Sequence, residues 1–210
     1  MKRAIVSFGT NKHAELLDIS FPTFKAFGDR HGWDVYRADN IGAGRPAPWY
    51  KVRALINLLN SGYDEALFLG ADTIIVDGRE DLRADDWAWQ ALVQHHTGDG
   101  LVPNTDVWLC RKEMLPWLDK VWNNLRWLMH GWWEQASLMD LMGFHVEQPT
   151  YLKIGTELYM STYFLDQSWN VHKWHKPPCE HPRIQHATMW PDRVAIMQEW
   201  RREADGWMNE

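Results

Sequence analysis

Apolar and polar residues alternate with two different periods along this chain, and the change of period predicts an α/β protein. Short apolar runs of strand type cover residues 3–8 and 33–36. Between them, residues 13–30 repeat apolar side chains every three or four positions, as one face of a helix does. A strand, a helix and a second strand in this order favour a parallel sheet. The first strand ends at Thr10 and Asn11, where such a sheet would bind a nucleotide base or ribose.

The rest of the chain continues this alternation of helices and strands. The pattern predicts helices at residues 49–60, 84–96, 113–129, 132–141 and 191–207. Strands are expected at residues 66–69, 73–76, 107–110 and 183–186, with a strand-like region over residues 150–164. No repeat, low-complexity segment or linker divides the sequence. We therefore expect one α/β domain over residues 1–210, with a mostly parallel mixed sheet flanked by helices.

The two strands predicted at residues 66–69 and 73–76 are interrupted by Gly70, Ala71 and Asp72. Because Gly and Asp are poor strand residues, the first strand is expected to end at Gly70. Asp72 would then project from the carboxyl end of the sheet, where α/β proteins bind ligands. A carboxylate there suits a hard cation that bridges phosphate oxygens. The alternative is a solvated aspartate in an ordinary turn.

A lysine lies in the first turn of the helix predicted at residues 49–60. Lys51 is off the apolar stripe of that helix, close to its free N–H groups. A cation at this place is suited to contact a diphosphate. The alternative is an ordinary exposed lysine.

Composition and charge narrow the choice of partners. The 210 residues carry a net charge of −6 and show no Lys/Arg run, so no dedicated grip on nucleic acid is evident. The two cysteines, Cys110 and Cys179, are far apart and are expected to be free thiols, with a single bridge as the alternative. No signal peptide or membrane-spanning run is present, so we expect a cytoplasmic protein that does not bind membranes.

Tryptophan is unusually frequent, with 15 residues in the chain. Indole rings stack on sugars and on bases, so this richness suggests a carbohydrate or nucleotide site. The alternative is a core rich in tryptophan. Seven of these residues lie beside polar or loop residues: Trp49, Trp87, Trp89, Trp132, Trp133, Trp174 and Trp190.

Five short motifs follow one another along most of the chain. They are Trp49-Tyr50-Lys51, Gly70-Ala71-Asp72, Asn104-Thr105-Asp106, Trp132-Trp133-Glu134-Gln135, and finally Asn170 with His186. In order and spacing they resemble the motifs of the GT-A nucleotide-sugar glycosyltransferases. The nearest resemblance is to the galactosyl/xylosyltransferase group, which includes fungal mannan galactosyltransferases and plant xyloglucan xylosyltransferases.

The resemblance implies a GT-A-like fold and an enzyme that transfers a sugar from a nucleoside-diphosphate sugar, most simply a UDP-sugar, with retention of configuration. It implies a metal site of Asp72 and His186, for which Mn²⁺ suits the mixed O and N donors better than Mg²⁺. The acceptor stays open: a glycan, a protein, a small molecule or a modified base. A bacterial or phage enzyme is expected.

Further roles follow from the same resemblance. Glu134 and Gln135 would face the anomeric carbon, where positive charge develops. The remaining donor-site residues would be Thr10, Asn11, Lys51, Asn104, Asp106 and Asn170. Taken alone, Glu134 could be a helix-surface charge, Gln135 a backbone partner and His186 an ordinary histidine.

One departure from the motifs limits these expectations. The first acid of the family's Asp-x-Asp motif is Gly70 here, which would weaken a metal site, make transfer metal-independent or leave the protein inactive. Two alternatives to an enzyme therefore stay open: an inactive nucleotide-sugar-binding protein of the same fold, and a carbohydrate-binding module rich in tryptophan.

A loop rich in histidine and aromatic residues precedes the last predicted strand. His172, Trp174 and His175 in this loop would close over the donor or acceptor. A structural zinc site of His172, His175, Cys179 and His181 is a less favoured alternative because the paired ligand spacing of zinc fingers is absent.

Overall fold

The computed structural model describes residues 1–39, 44–98, 100–173 and 178–210. Its helices are α1 (Lys12–His31), α2 (Tyr50–Asn60), α3 (Leu115–Asn123), α4 (Trp133–Met142), α5 (Glu157–Met160) and α6 (Arg193–Met208). Its strands are β1 (Arg3–Ser7), β2 (Asp34–Arg37), β3 (Glu65–Leu69), β4 (Thr73–Ile75), β5 (Gln90–Thr97), β6 (Gly100–Arg111), β7 (Phe144–His145), β8 (Tyr151–Leu152), β9 (Thr162–Leu165), β10 (Val171–His172) and β11 (Ile184–His186).

A mixed sheet of six strands forms the centre of the fold, in the order β2-β1-β3-β6-β5-β9. The pairs β1–β2, β1–β3 and β5–β9 are parallel, whereas β6 runs antiparallel to both β3 and β5. The opening strand–helix–strand unit is therefore parallel, as its pattern predicted. The α/β class and the mixed sheet flanked by helices are confirmed.

The alternation of side chains along β3 divides the core into two layers. Leu67 and Leu69 face the layer that contains α1 and α6, and Ala66 and Phe68 face the layer that contains α2, α3 and α4. Successive residues of a strand point to opposite faces, so a strand covered on both sides is apolar throughout. No described helix is both long and apolar enough to cross a bilayer.

A second sheet, in the order β10-β11-β4, lies beyond the carboxyl end of β3. Its register pairs His186 of β11 with Thr73 of β4, and the backbone N–H of Ala187 donates to the carbonyl of Asp72 at 2.8 Å. This pairing brings the end of the chain back to the turn that follows β3. The place of Asp72 and His186 side by side is thus set by backbone hydrogen bonds.

The helix predicted at residues 84–96 is wrong, because this segment contains β5 at the centre of the main sheet. Residues 90–93 of β5 are fully buried, with β6 on one edge and β9 on the other. A strand buried on both faces loses the period of two, so its apolar run resembles that of a helix.

Two further boundaries differ from the predicted ones. The helix predicted at residues 113–129 is shorter, because α3 ends at Asn123 and Asn124 leaves the helical region with ψ 77°. The strand-like region at residues 150–164 contains α5 between β8 and β9. The side chain of Thr156 caps α5 by accepting a hydrogen bond from the backbone N–H of Tyr159. The β-type residues around this short helix led to the prediction of a strand.

The packing of α6 against the turn after β4 yields a stability test. An added Cβ at Gly78 would lie 2.5 Å from a ring atom of Trp207, whereas Gly206 on α6 has open space around its Cα. We expect Gly78→Ala to lower the free energy of unfolding by about 1–3 kcal/mol, because the buried indole must move. Gly206→Ala should raise it by about 0.5–1 kcal/mol, as Ala does in an exposed helix. Equal effects in urea unfolding would contradict this packing.

Candidate functional site

A cavity of about 610 Å³ opens at the carboxyl ends of β1 and β3. This volume lies within the range of about 300–1,000 Å³ that small-molecule sites occupy. The turn after β3, the middle of β6, the first turn of α4, the end of β11 and the start of α6 all contribute to its lining. Five segments that are far apart in sequence thus converge on one concave surface.

Asp72 lies in the cavity wall and is 8% exposed, so it is not a solvated turn residue. Its Oδ2 accepts a hydrogen bond from Arg193 at 3.1 Å, and its Oδ1 is 3.5 Å from Nε2 of His186. Burial alone would raise the pKa of the Asp72 carboxyl, but the positive charges of His186 and Arg193 outweigh it and hold the pKa well below its usual value. Asp72 is therefore a carboxylate.

The orientation of His186 is determined by a chain of hydrogen bonds behind it. The backbone N–H of Asp106 donates to Oδ1 of Asn104 at 2.8 Å, and the side-chain amide of Asn170 donates to the same oxygen at 2.9 Å. Oδ1 of Asn170 therefore faces Nδ1 of His186, at 3.1 Å. This places the proton of the neutral ring on Nδ1 and directs the lone pair of Nε2 towards the cavity.

The Nε2 atom of His186 lies between two carboxylates. It is 3.5 Å from Oδ1 of Asp72 and 3.6 Å from Oδ2 of Asp106, and both distances exceed those of ordinary N–H···O hydrogen bonds. Burial lowers the pKa of His186, but the charge of Asp72, the contact with its carboxylate and the charge of Asp106 together outweigh this effect, so the pKa is raised. The two acids therefore favour positive charge at Nε2, which either a proton or a bound cation would supply.

Lys51 is 5% exposed, so it is not a surface lysine. Its ammonium donates to Asp106 at 2.8 Å and to Thr105 at 3.2 Å, and it lies 2.9 Å from Oε1 of Glu134. Burial disfavours the charged amine, but the two carboxylates outweigh it and raise the pKa of Lys51. Lys51 is thus a buried cation that holds two acids of the cavity wall in place.

Glu134 is 1% exposed and lies in the first turn of α4, which excludes a helix-surface charge. Its Oε1 accepts a hydrogen bond from Thr105 at 2.9 Å, and its Oε2 has no partner among the described residues. Burial raises the pKa of Glu134 against the opposing effect of Lys51. The neighbouring Gln135 also lines the cavity and accepts the backbone N–H of Thr105 at 3.4 Å.

The sequence matches no protein-family model, and no curated protein is similar to it in sequence. Solved structures do share its architecture. A glycosyltransferase involved in the glycosylation of the major capsid of PBCV-1 has a TM-score of 0.70 at 14% identity, over 96% of this chain and 100% of that chain. The glycosyltransferase GlyE of Streptococcus pneumoniae TIGR4 has a TM-score of 0.62 at 15% identity, over 99% of this chain and 64% of that chain.

A third structure, an active-site mutant of LgtC, has a TM-score of 0.53 at 13% identity and covers 94% of both chains. Identities this low establish the fold rather than a shared substrate. The protein has the GT-A fold. The family resemblance expected from the motifs is consistent with these structures.

Within the GT-A fold, the structure brings most of the candidate residues together. Those that line the cavity are Thr10, Lys51, Asp72, Asn104, Asp106, Glu134, Gln135 and His186. Asn170 is fully buried behind His186 and acts on it through their hydrogen bond. Asn11 lies apart from the others, because it is exposed at the amino end of α1 and is not part of the cavity lining.

The aromatic candidates are divided among the core, the cavity and, for Trp87, the exposed surface. Trp49 is fully buried in the core, and Trp132 and Trp133 line the cavity. Trp133 has φ 44°, a strained value for a residue other than Gly, and such strain is often found at binding sites. His172 also lines the cavity, with its ring centre 4.0 Å from that of His95. Trp174 and His175 lie outside the described residues. The predictions of a closing loop and of a zinc site both include residues of this segment, so they stay predictions.

Two basic residues of the cavity were not predicted from the sequence. Arg193 begins α6, and its guanidinium contacts Asp72 and also lies 3.3 Å from Nε2 of His13. The only local signal was a cation at the start of a helix, where acidic residues are normally favoured. His13 lines the cavity from the first turn of α1.

The GT-A fold raises the question of a divalent cation. Among the described residues, no three His, Cys, Asp or Glu side chains are grouped closely enough to hold a metal ion as they stand. However, Asp72, Asp106 and His186 present two carboxylate oxygens and one ring nitrogen, and the two oxygens lie 3.5 and 3.6 Å from Nε2 of His186. Ligands about 2.1 Å from one ion are separated by roughly 3.0–3.4 Å. A contraction of a few tenths of an ångström would therefore bring each of these oxygens to the distance from Nε2 that two ligands of one Mn²⁺ or Mg²⁺ ion have.

Proposed function

We propose that this protein is a glycosyltransferase that takes a sugar from a nucleoside-diphosphate sugar, most simply a UDP-sugar, and transfers it to a hydroxyl acceptor. The observation that carries this proposal is the arrangement of buried acids and bases in the cavity at the carboxyl edge of a GT-A fold. Asp72, His186 and Arg193 form one side, and Lys51, Asp106 and Glu134 form the other. The two groups suit the two charges that separate when a glycosyl–phosphate bond breaks.

The side of the cavity formed by Asp72 and Arg193 would receive the diphosphate. Arg193 is one-third exposed at the cavity and can form bidentate hydrogen bonds with phosphate oxygens. A bound Mn²⁺ or Mg²⁺ would neutralise charge on the leaving diphosphate, and Asp72 and His186 are its proposed ligands. Lys51 is too deeply paired to bind phosphate directly, so we assign it a positioning role.

The side formed by Glu134 and Gln135 would face the sugar. The free Oε2 of Glu134 is an acceptor without a partner among the described residues, and the anomeric carbon becomes positively charged as the bond breaks. Lys51 and Thr105 hold the other oxygen, which limits rotation of the carboxylate. Asn104 and Asp106 would line the sugar pocket beside them, and Thr10 would lie near the nucleotide.

We propose retention of anomeric configuration, on the resemblance of the motifs. Trp132 and Trp133 at the cavity wall suit the apolar face of a sugar ring, so a glycan is the acceptor we favour. Both cysteines are unpaired, which suits a reducing compartment such as the cytoplasm.

Nucleotide binding can be tested by thermal unfolding with UDP, GDP, CDP and ADP, each with and without Mn²⁺. A ligand that binds only the folded protein stabilises it by about 2.7 kcal/mol at a concentration of 100 Kd. We expect one nucleotide to raise the melting temperature by several degrees, more with Mn²⁺, and the Mn²⁺-dependent part to vanish in Asp72→Ala. A carbohydrate-binding module would show no shift with any nucleotide, and that result would contradict the proposal.

A further inference from the structure

Gly70 and Asp106 lie opposite each other on two neighbouring strands. The ladder of β3 and β6 pairs Leu69 with Val107, and the backbone N–H of Gly70 then donates to the carbonyl of Asp106 at 2.8 Å. The position where the acidic motif lacks its first carboxylate therefore faces a position that carries one.

The space between these positions would be crowded by a second carboxylate. A Cβ added at Gly70 would lie 3.2 Å from Cβ and 3.4 Å from Cγ of Asp106, and 3.3 Å from Oδ1 of Asp72. An acidic side chain at position 70 would thus occupy the place that Asp106 fills, and two unshielded carboxylates there would repel each other. Gly70 leaves room for Asp106.

Two contacts orient the carboxylate of Asp106. Its Oδ1 accepts a hydrogen bond from Lys51 at 2.8 Å, while its Oδ2 points to Nε2 of His186. The carboxylate of Asp72 is arranged in the same way. Its Oδ2 accepts a hydrogen bond from Arg193, and its Oδ1 faces the same ring nitrogen. One oxygen of each acid thus has a basic partner, and the other converges on Nε2, whose lone pair is directed to the cavity.

We propose that Asp106 provides, from the neighbouring strand, the carboxylate that is missing at position 70, so that Asp72, Asp106 and His186 together bind one divalent cation. The inference deepens the proposed function, on which it rests for the presence of a cation. It moves Asp106 from the sugar pocket to the metal site. It also gives the buried Asp72, His186 and Asn170 a function in a chain that has Gly at position 70.

The direct test is Mn²⁺ binding to the full chain, measured by calorimetry and by the loss of the free-Mn²⁺ electron paramagnetic resonance signal, with and without UDP. Asp106→Asn keeps the shape of the side chain but removes its charge, and we expect it to weaken Mn²⁺ binding at least about tenfold, as the loss of even an indirect ligand contact often does. The matched control is Asp119→Asn, the same change at an exposed position of α3, which should leave binding unchanged.

The exchange of the two positions makes the test specific. Asp106→Gly should lose Mn²⁺ binding, and Gly70→Asp should be crowded and less stable. The double variant Gly70→Asp/Asp106→Gly should regain most of the lost affinity, because the carboxylate returns to the same space from β3. Far-UV circular dichroism and thermal unfolding establish which variants are folded. If the variants that exchange Gly and Asp do not fold, the Mn²⁺ affinity of Asp106→Asn alone tests the inference.

The results separate this inference from the proposed function. Wild-type affinity for Mn²⁺ in Asp106→Asn, or no Mn²⁺ binding by the wild type with or without UDP, would overturn the inference. Wild-type affinity for Mn²⁺ in Asp106→Asn, found together with turnover of a nucleotide sugar in the presence of a chelator, would overturn the inference and leave the proposed function intact. Loss of Mn²⁺ binding in Asp106→Asn in a protein that cleaves no nucleotide sugar would support the metal site and contradict the proposed function.

Discussion

Asp72→Asn is expected to reduce the cleavage of the nucleotide-sugar donor about a thousandfold or more. The carboxylate contacts Arg193 and His186 and is the proposed ligand of the cation beside the diphosphate. Loss of several kcal/mol of charge stabilisation in the transition state corresponds to this factor, since about 1.4 kcal/mol is a tenfold change in rate. The measurement is kcat/KM for release of the nucleoside diphosphate, at a temperature well below the midpoint of unfolding.

The control for this variant is Asp77→Asn, five residues along the same segment. Asp77 is partly exposed and pairs with Arg79, so the same chemical change should leave turnover within about twofold of the wild type. Retention of more than a tenth of the wild-type rate by Asp72→Asn would remove Asp72 from the catalytic site.

Lys51→Met is expected to cause the largest loss of stability. Removal of the ammonium leaves Asp106 and Glu134 close together without their shared cation, and Glu134 is fully buried. Breaking a buried ion pair from one side costs about 3–5 kcal/mol, which corresponds to a fall of roughly 6–20 °C in the melting temperature of a chain of this size. Urea unfolding monitored by tryptophan fluorescence measures this loss of unfolding free energy.

Two companion variants identify the cause. Lys112→Met removes an exposed lysine that pairs with Asp64 at 2.6 Å, and it should cost no more than about 1 kcal/mol. Lys51→Met/Glu134→Gln removes one of the stranded charges and should recover part of the stability. If the buried and exposed lysines prove equivalent, the electrostatic account of this wall is wrong.

The parts of the fold that could be predicted are those that local pattern determines. The parallel opening unit follows from the period of α1 between two strands, and α4 ends at Gly143, where φ is 95°. β5 could not be predicted, because its conformation is imposed by two neighbouring strands rather than by its own sequence. The ends of α3 and the position of α5 depend on single residues, Asn124 and Thr156, whose effect pattern alone does not reveal.

The site divides in the same way. Asp72 was recognisable because Gly and Asp break an apolar run, and His186 through the resemblance of the motifs, since alone it would be an ordinary histidine. Arg193 gave no comparable signal, since it lies 121 residues beyond the acid that it contacts. The partnership of Gly70 and Asp106 is a matter of strand register, which sequence spacing does not determine. The pairing of Lys51 with Glu134 likewise required the fold.

The most direct test of glycosyl transfer is to follow nucleotide sugars by ¹H NMR with the wild-type protein and Mn²⁺, using UDP-hexoses and UDP-pentoses with water and simple glycans as acceptors. We predict that one donor is cleaved, that the nucleoside diphosphate is released, and that the first sugar product keeps the anomeric configuration of the donor. An intact donor in every sample, despite measurable nucleotide binding, would contradict the account and identify a binding protein that has lost its chemistry.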